Sequence, residues 1–504
     1  MSNKSSLFFL LFFLLRGACF GAPLFETENF TVDLGVYSRT DVISFKNTVD
    51  LDSANSDDTT TYLGIDYSLS ALVEPKTAGP TYFFKLERNG PGDYNAPLFA
   101  HNTLMTSGGV VEEYRNDELL PNIEEFWVDV PLRNNLGIKL GLYAYEVGEG
   151  LSLSGAYENY GATLYKKFQN SMLRLYYARP DSFYKVRLGP RIRQDEEQDY
   201  RYEHNAANFF AADIKYEWED NYLNPYIGAL TDYTSSGKRD SVFSAPIKRD
   251  ILGTLGLAFS LKGDKLSFTA ETARNFGKGK SESGDFKDIY HAGYMLYTDT
   301  SYAFGKLEPF FKFLLASGNK VSLDAAQNGD TLSASGKNRA FSYYSPLNFN
   351  LDDSIGSWHC EIRPLVFMGS CYSLVYGIPR PETFAASDFD NLIILAPGFD
   401  LEVTPKLDLS FDYFYLQSLE KGVGTLDGQA RYLSRELGHE MDITAVYKLN
   451  KNTLLEISGG YFIPGKYYKE FREDAAGSLF SPFVRGDGKA DPAYMIETSV
   501  EFIF

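Results

Sequence analysis

The sequence predicts an all-β protein, namely a single-domain transmembrane antiparallel β-barrel of about eighteen strands. Three observations predict this fold. The chain opens with a secretory leader, its last ten residues form an alternating strand, and short turns alternate with long polar connections between them. No second run approaches the ~20 apolar residues of a membrane helix, so the sequence does not fit a helical membrane protein.

The leader covers residues 1–21. Lys4 supplies a positive start, residues 7–15 are an unbroken Leu/Phe run, and Gly21 offers a small residue for cleavage. We therefore expect a mature barrel over 22–504. Cys19 leaves a lipoprotein leader as the alternative. Arg16 argues against it, because a lipoprotein leader would carry Leu at that position.

The last ten residues alternate and end on an aromatic residue. One parity of this segment is mainly apolar and the other is mainly acidic or polar, as in a strand with one face toward lipid. The terminal Phe504 resembles the C-terminal signal of bacterial outer-membrane barrels. We therefore expect a protein of the bacterial cell outer membrane, in contact with its lipid, whose Phe504 is read by the barrel-assembly machinery. The alternative is an edge strand of a soluble sandwich.

The strands are each close to the ~9–11 residues that cross a bilayer at a tilt. The predicted strands are 30–39, 62–70, 81–88, 123–132, 136–145, 160–168, 171–179, 209–218, 223–233, 251–261, 265–274, 293–304, 307–314, 391–403, 407–416, 440–448, 453–462 and 495–504. Segments 361–368 and 372–378 could add two more. A propeller would need a repeat of ~40–50 residues, which is absent.

The long connections between hairpins are predicted external loops. They are 40–61, 89–122, 146–159, 180–208, 234–250, 275–292, 316–388, 417–439 and 463–494. The connections on the other side are tight turns, such as 133–135. The longest loop, 316–388, could fold into the lumen as a plug or gate, or could lie outside and bind a partner.

Composition narrows the partners. Asp and Glu number 67 against 48 Lys and Arg, for a net charge of −19 that becomes −21 once Lys4 and Arg16 leave with the leader. Such acidity makes nucleic acid an improbable partner. Cofactors are not expected. Cys360 and Cys371 remain after processing, and in an oxidising periplasm they predict a disulfide or two buried thiols. A metal site with His359 is the weaker alternative, because a fourth ligand is lacking.

If the apolar parity faces lipid, the other parity lines a channel. Its basic members are Arg39, Lys85, Lys139, Lys167, Arg174, Lys215 and Lys312. Its acidic members are Asp33, Asp66, Glu87, Glu125, Asp129, Asp213, Glu217, Glu271, Asp408, Asp412, Asp442, Glu456, Glu497 and Glu501. All seven cations precede 316–388, whereas the last strands contribute mainly acids. We therefore expect a basic or mixed wall facing an acidic wall, an arrangement that selects charged solutes.

Residues 123–167 read IEEFWVDVPLRNNLGIKLGLYAYEVGEGLSLSGAYENYGATLYKK. This segment resembles the alginate-export family of outer-membrane porins, in which an acidic-aromatic strand precedes a Lys/Arg-Leu-Gly strand. The resemblance implies a barrel that exports an anionic uronate polymer through an arginine-lined constriction gated by mobile loops. This chain has Leu142 and Tyr143 where the family tends to have Arg-Gln, and its lumen cations are mainly lysines.

The leading hypothesis is therefore a passive outer-membrane channel, and not an enzyme, for an anionic polysaccharide such as alginate or for small anionic solutes. The alternatives are a general or specific porin for other solutes, a barrel-type adhesin, and a barrel-type enzyme. The enzyme hypothesis has little support, because no Gly-x-Ser-x-Gly elbow occurs and only His439 and Ser434 suggest a catalytic pair.

Overall fold

The computed structural model describes residues 25–47, 51, 59–88, 103–105, 111–113, 122–143, 145–155, 160–179, 207–232, 247–281, 287–320, 322–323, 336–341, 362, 364–367, 391–426, 429–472 and 489–503. The leader, Cys360, Cys371 and Phe504 lie outside these residues. The leader cleavage, the disulfide and the assembly signal therefore stay predictions.

Eighteen antiparallel strands form one closed barrel, as the sequence predicts. The strands are β1 (Phe30–Lys46), β2 (Thr59–Pro75), β3 (Thr81–Arg88), β4 (Asn122–Pro131), β5 (Leu136–Leu142), β6 (Tyr160–Lys167), β7 (Ser171–Arg179), β8 (Ala207–Trp218), β9 (Asn221–Asp232), β10 (Ile247–Lys262), β11 (Leu266–Ser281), β12 (Tyr294–Tyr302), β13 (Leu307–Ala316), β14 (Leu392–Thr404), β15 (Leu407–Ser418), β16 (Glu436–Asn450), β17 (Thr453–Pro464) and β18 (Ala493–Ile503).

The barrel closes between its last and first strands. β18 pairs with β1 from Ile503 opposite Tyr37 to Tyr494 opposite Lys46. Every other strand pairs with its neighbours in sequence, so each hairpin contributes a wall segment and no wall strand keeps a free edge. The terminal strand, predicted to have one face toward lipid, therefore completes the barrel wall.

Short elements flank the wall. Three of them are strands that join the main sheet, six form small two-stranded hairpins, and one is a short helix. They are Phe25–Glu26, Thr103–Met105, Val111–Glu113, Tyr145–Glu146, Ser154–Gly155, Ile289–His291, Lys337–Asn338, Val423–Leu426, Gln429–Tyr432 and the helix α1 (Lys466–Arg472). Within the described ranges, no helix is long and apolar enough to cross a bilayer.

Several strands continue further toward the long connections than the sequence predicts. β1 reaches Lys46 instead of residue 39, and β10 and β11 extend into the predicted loops 234–250 and 275–292. Where a strand extends beyond the bilayer, its outer face no longer has to be apolar. The alternation of apolar and polar residues is therefore lost there, while the backbone pairing continues. The predicted additional strand 361–368 is wrong for its described part, because residues 365–367 form a turn. Segment 372–378 lies outside the described residues.

The two faces of the wall differ sharply in exposure. Leu255, Ile443 and Ile496 are 50–57% exposed on the outside, whereas Glu271 and Glu497 are at most 2% exposed on the inside. Apolar side chains therefore cover the outer surface, and charged side chains are enclosed. This inversion of the usual soluble pattern is typical of a barrel whose solvent on the outside is lipid.

Candidate functional site

The connection after β5 folds into the lumen instead of outward. Residues 143 and 145–155, which we name the first inward segment, pack against the inner faces of β7 to β11. Tyr143, Tyr145 and Val147 are buried at every second position, and Leu151 and Leu153 are buried further along. Leu153 lies over Gly228, where an added Cβ would come within 2.5 Å of it. The expectation of an external loop over 146–159 is therefore wrong for its described part.

A buried carboxylate holds this segment by its backbone. Glu271 on β11 accepts hydrogen bonds from the amides of Glu149 at 2.7 Å and Ser152 at 3.1 Å, and Tyr226 donates its hydroxyl to the same carboxylate at 2.5 Å. The Gly148 amide donates to the side-chain oxygen of Asn224 at 2.7 Å. Glu271 was predicted as a channel-lining acid. It is instead fully buried. Its burial is tolerated because its oxygens accept hydrogen bonds from amides that would otherwise be unpaired.

A second inward segment, residues 362–367, is held in the same way on the opposite wall. Glu440 accepts the amides of Val366 at 2.5 Å and Phe367 at 2.8 Å, and Asp442 accepts the amide of Leu365 at 2.9 Å. Val366 also packs close to Gly460 of β17. Residues 365–367 of the predicted loop 316–388 therefore lie inside the barrel wall. A gating role for the whole segment stays a prediction.

Lys139 lies beside the first inward segment on β5. Its ammonium is 3.8 Å from the ring centre of Trp127 and 4.3 Å from that of Tyr143. Glu125 and Asp129 flank it, but Glu125 accepts the indole N–H of Trp127 and Asp129 accepts a tyrosine hydroxyl. No carboxylate in the described part of the chain forms a salt bridge with Lys139, which is partly exposed. Its charge is therefore held by aromatic rings.

Arg174 is fixed more tightly. Its guanidinium donates to both oxygens of Asp213, at 2.9 Å each, and to the carbonyl oxygen of Glu146 in the first inward segment at 3.0 Å. Asn224 and Tyr145 also donate to Asp213. Burial, and then the charge of Asp213, raise the pKa of Tyr145 well above its ordinary value, so its hydroxyl stays protonated. This network ties the inward segment to β7 and β8.

The other predicted cations fall into three places. Lys85 lies directly opposite Glu125, and the charge of Glu125 interacts with both Lys85 and Lys139. Lys167 and Lys215 lie at the turn end of the barrel, where Lys215 pairs with Glu217 at 2.8 Å.

The last two cations are enclosed in other parts of the wall. Lys312 is 3.8 Å from Asp412, and Arg39 donates to Glu497 at 2.8 Å with only 1% of its surface exposed. The structure therefore brings Lys85, Lys139 and Arg174 together with Glu125 and Asp129. It separates them from the other four cations.

The predicted acidic wall is largely engaged in structure. Asp442 holds the second inward segment, Asp412 faces Lys312, Glu497 pairs with Arg39, and Asp408 pairs with Lys448 at 2.7 Å. These four predicted lumen acids therefore have structural partners, and the selection of solutes by an acidic wall stays a prediction. The side chains of Asp66 and Glu87 lie outside the described part.

Sequence reasoning missed several residues of this site. Trp127, Tyr143, Tyr145, Tyr226 and Asn224 were not predicted as site residues, and Glu440 was not among the predicted acids. The alternation of Tyr143, Tyr145 and Val147 was the available signal, although the same alternation also fits a continuing wall strand.

The suggested catalytic pair does not assemble. His439 faces outward, with its Nδ1 at 2.6 Å from the hydroxyl of Tyr413. The Ser434 hydroxyl accepts the amide of Glu436. Within the described ranges no hydrogen bond joins His439 to Ser434, so the two residues lack the geometry of a nucleophile and its base.

An apolar outer face, a polar interior and inward-folded connections together define a porin-type β-barrel of the outer membrane. No protein-family model and no curated protein matches this chain. Solved porin structures resemble it weakly.

OccAB4 of Acinetobacter baumannii is 10% identical with a TM-score of 0.48, covering 96% of this chain and 100% of its own. OccK8 (OprE) of Pseudomonas aeruginosa is 9% identical with a TM-score of 0.48, covering 94% and 98%. OccK2 (OpdF) of Pseudomonas aeruginosa in complex with glucuronate is 9% identical with a TM-score of 0.46, covering 94% and 98%.

Proposed function

We propose that this protein is an outer-membrane channel through which small anionic solutes diffuse passively. The observation that carries the proposal is Lys139, a partly exposed cation on the inner wall beside the first inward segment, without a salt-bridge partner in the described part of the chain. Fixed charge at a narrowed point of a pore determines which ions pass.

The surroundings of Lys139 support an anion as the preferred solute. Trp127 and Tyr143 hold the ammonium by cation–π contacts, which leave its N–H donors free to meet a passing carboxylate. Lysine is a hydrated point charge and does not grip a carboxylate with two parallel bonds, so it suits transient contact more than tight binding.

The finer proposal concerns the size of the solute. The resemblance of residues 123–167 to alginate-export porins supports a uronate polymer, whereas the two inward segments reduce the open cross-section and favour small solutes. We therefore place small anions first and an alginate-like polymer second. Block of the current by polymeric uronate, but not by the monomer, would support the polymer.

Ion selectivity of the purified full-length protein in planar bilayers tests the proposal. The zero-current potential across a KCl gradient should show anion preference. Lys139→Gln should lower the anion-to-cation permeability ratio by roughly twofold or more, because the charge lies close to the ion path.

Lys166→Gln is the matched control. It also removes one positive charge, but Lys166 is exposed on the outward face of β6. The proposal fails if no pore forms. It also fails if selectivity is unchanged in Lys139→Gln or changes equally in both variants.

A further inference from the structure

The outer surface carries a strongly basic patch at the loop end of β10 and β11 and the adjoining short strands. Lys278 is partly exposed, and the other members are exposed: Arg249, Arg274, Lys280, Lys337 and Arg339. We name this set the basic patch. It contrasts with the composition of the chain, in which acidic residues exceed basic ones by 67 to 48.

Strand register shows that the lower part of the patch faces lipid. Arg274 lies opposite Leu255 of β10 and Tyr294 of β12, and these two residues are 57% and 48% exposed. Partners in an antiparallel ladder project from the same face of the sheet. The Arg274 side chain therefore lies on the outer surface among apolar and aromatic residues.

The upper part continues the same face across neighbouring strands. Lys278 lies opposite Tyr290, which is 49% exposed, and Lys337 lies on the other side of Tyr290. Lys280 lies directly opposite Arg249. Because adjacent strands are about 4.8 Å apart, these ammonium and guanidinium groups share one surface within reach of a single headgroup.

The patch begins where the membrane interface should lie. Phe268 and Phe276 project outward from β11 and are about 26 Å apart along the strand, a spacing that fits the two aromatic girdles of a barrel. Arg274 lies next to the girdle nearer the loops, together with Tyr294. From there an arginine can extend its head toward the headgroups while its stem stays in contact with lipid.

The clustered positive charges of the basic patch favour the binding of an anion. Lys280 and Arg249 are like charges in directly opposite positions, and a bound anion would lower their mutual repulsion. Asp288 contacts Lys278 at 2.6 Å. Basic clusters at a membrane surface attract anionic headgroups, with a gain for each Lys or Arg.

We infer that the basic patch binds the phosphate groups of an anionic lipid headgroup in the outer leaflet. The neighbouring apolar surface favours a lipid over a free anion. Leu257 and Leu296 lie below Arg274 on the same outer face, where they would contact the acyl chains. The phosphates would meet Arg274, Lys278 and Lys280. This inference depends on the orientation of the barrel in the membrane and not on what passes through its lumen.

Native mass spectrometry of the full-length protein in a neutral detergent tests the inference. Wild type should retain lipid A carrying two phosphates and should retain the dephosphorylated lipid much less. The triple variant Arg274→Gln, Lys278→Gln and Lys280→Gln should lose about tenfold or more in affinity for the phosphorylated lipid.

The control removes three exposed lysines from the turn end, as Lys166→Gln, Lys265→Gln and Lys406→Gln, and should bind like wild type. A charge-conserving variant, with Arg274→Lys, Lys278→Arg and Lys280→Arg, should retain binding and guards against a folding defect. Equal retention of both lipids by wild type, or equal loss in patch and control variants, would overturn the inference.

Discussion

Charged side chains inside this barrel do two different kinds of work. Glu271 and Glu440 are buried acceptors that fix backbone amides of the inward segments, and Arg39 with Glu497 forms a buried ion pair where the barrel closes. Lys139 is different, because aromatic rings hold it and part of its surface stays exposed. Only residues of this second kind can act on a solute, so the parity of a residue does not by itself define its role.

The Arg39 pair gives a prediction on stability. Arg39→Met should destabilise the barrel by roughly 3–5 kcal/mol, because Glu497 would be left as an uncompensated buried charge. Chemical unfolding in lipid vesicles measures the change. Combining it with Glu497→Gln should recover part of the loss.

Lys306→Met is the control for this prediction. Lys306 pairs with Glu402 at 3.2 Å, but both side chains are about half exposed, so its loss should change stability little. If Arg39→Met behaves like Lys306→Met, the closing pair does not stabilise the barrel as argued.

At the scale of elements, the two inward segments are the main departure from the sequence prediction. The eighteen wall strands could be predicted because lipid on one side and water on the other impose a period of two, as in 453–462 for β17 (Thr453–Pro464). The inward segments could not, because their partners are distant in sequence. The sequence around Gly228 and Glu271 does not indicate that Leu153 and the Ser152 amide will contact them.

The docking of the first inward segment gives a second prediction. Gly228→Val should push Leu153 away from the wall, release the segment and yield a larger, noisier single-channel conductance, with a stability loss of about 1–3 kcal/mol. Ala229→Val is the matched control, because its side chain faces outward on the same strand. An unchanged conductance in Gly228→Val would show that the segment does not narrow the pore.

For the whole molecule, closure by β18 and β1 creates an interior that lipid cannot reach, and the first inward segment folds into that interior beside Lys139. The sequence predicted the closure and the lumen face of Lys85, Lys139 and Arg174. It did not predict the structural partners of Asp442 and Glu497. Lys139 differs from these residues, because no carboxylate in the described part of the chain forms a salt bridge with it.

Solute entry into proteoliposomes tests the channel hypothesis most directly. Liposome swelling with glucuronate and with glucose compares an anion and a neutral solute of similar size. The hypothesis predicts entry of glucuronate at least about twofold faster than glucose, because positive charge at the narrow part concentrates the anion. Glucose entering as fast as glucuronate, or no entry beyond that of protein-free liposomes, would contradict it.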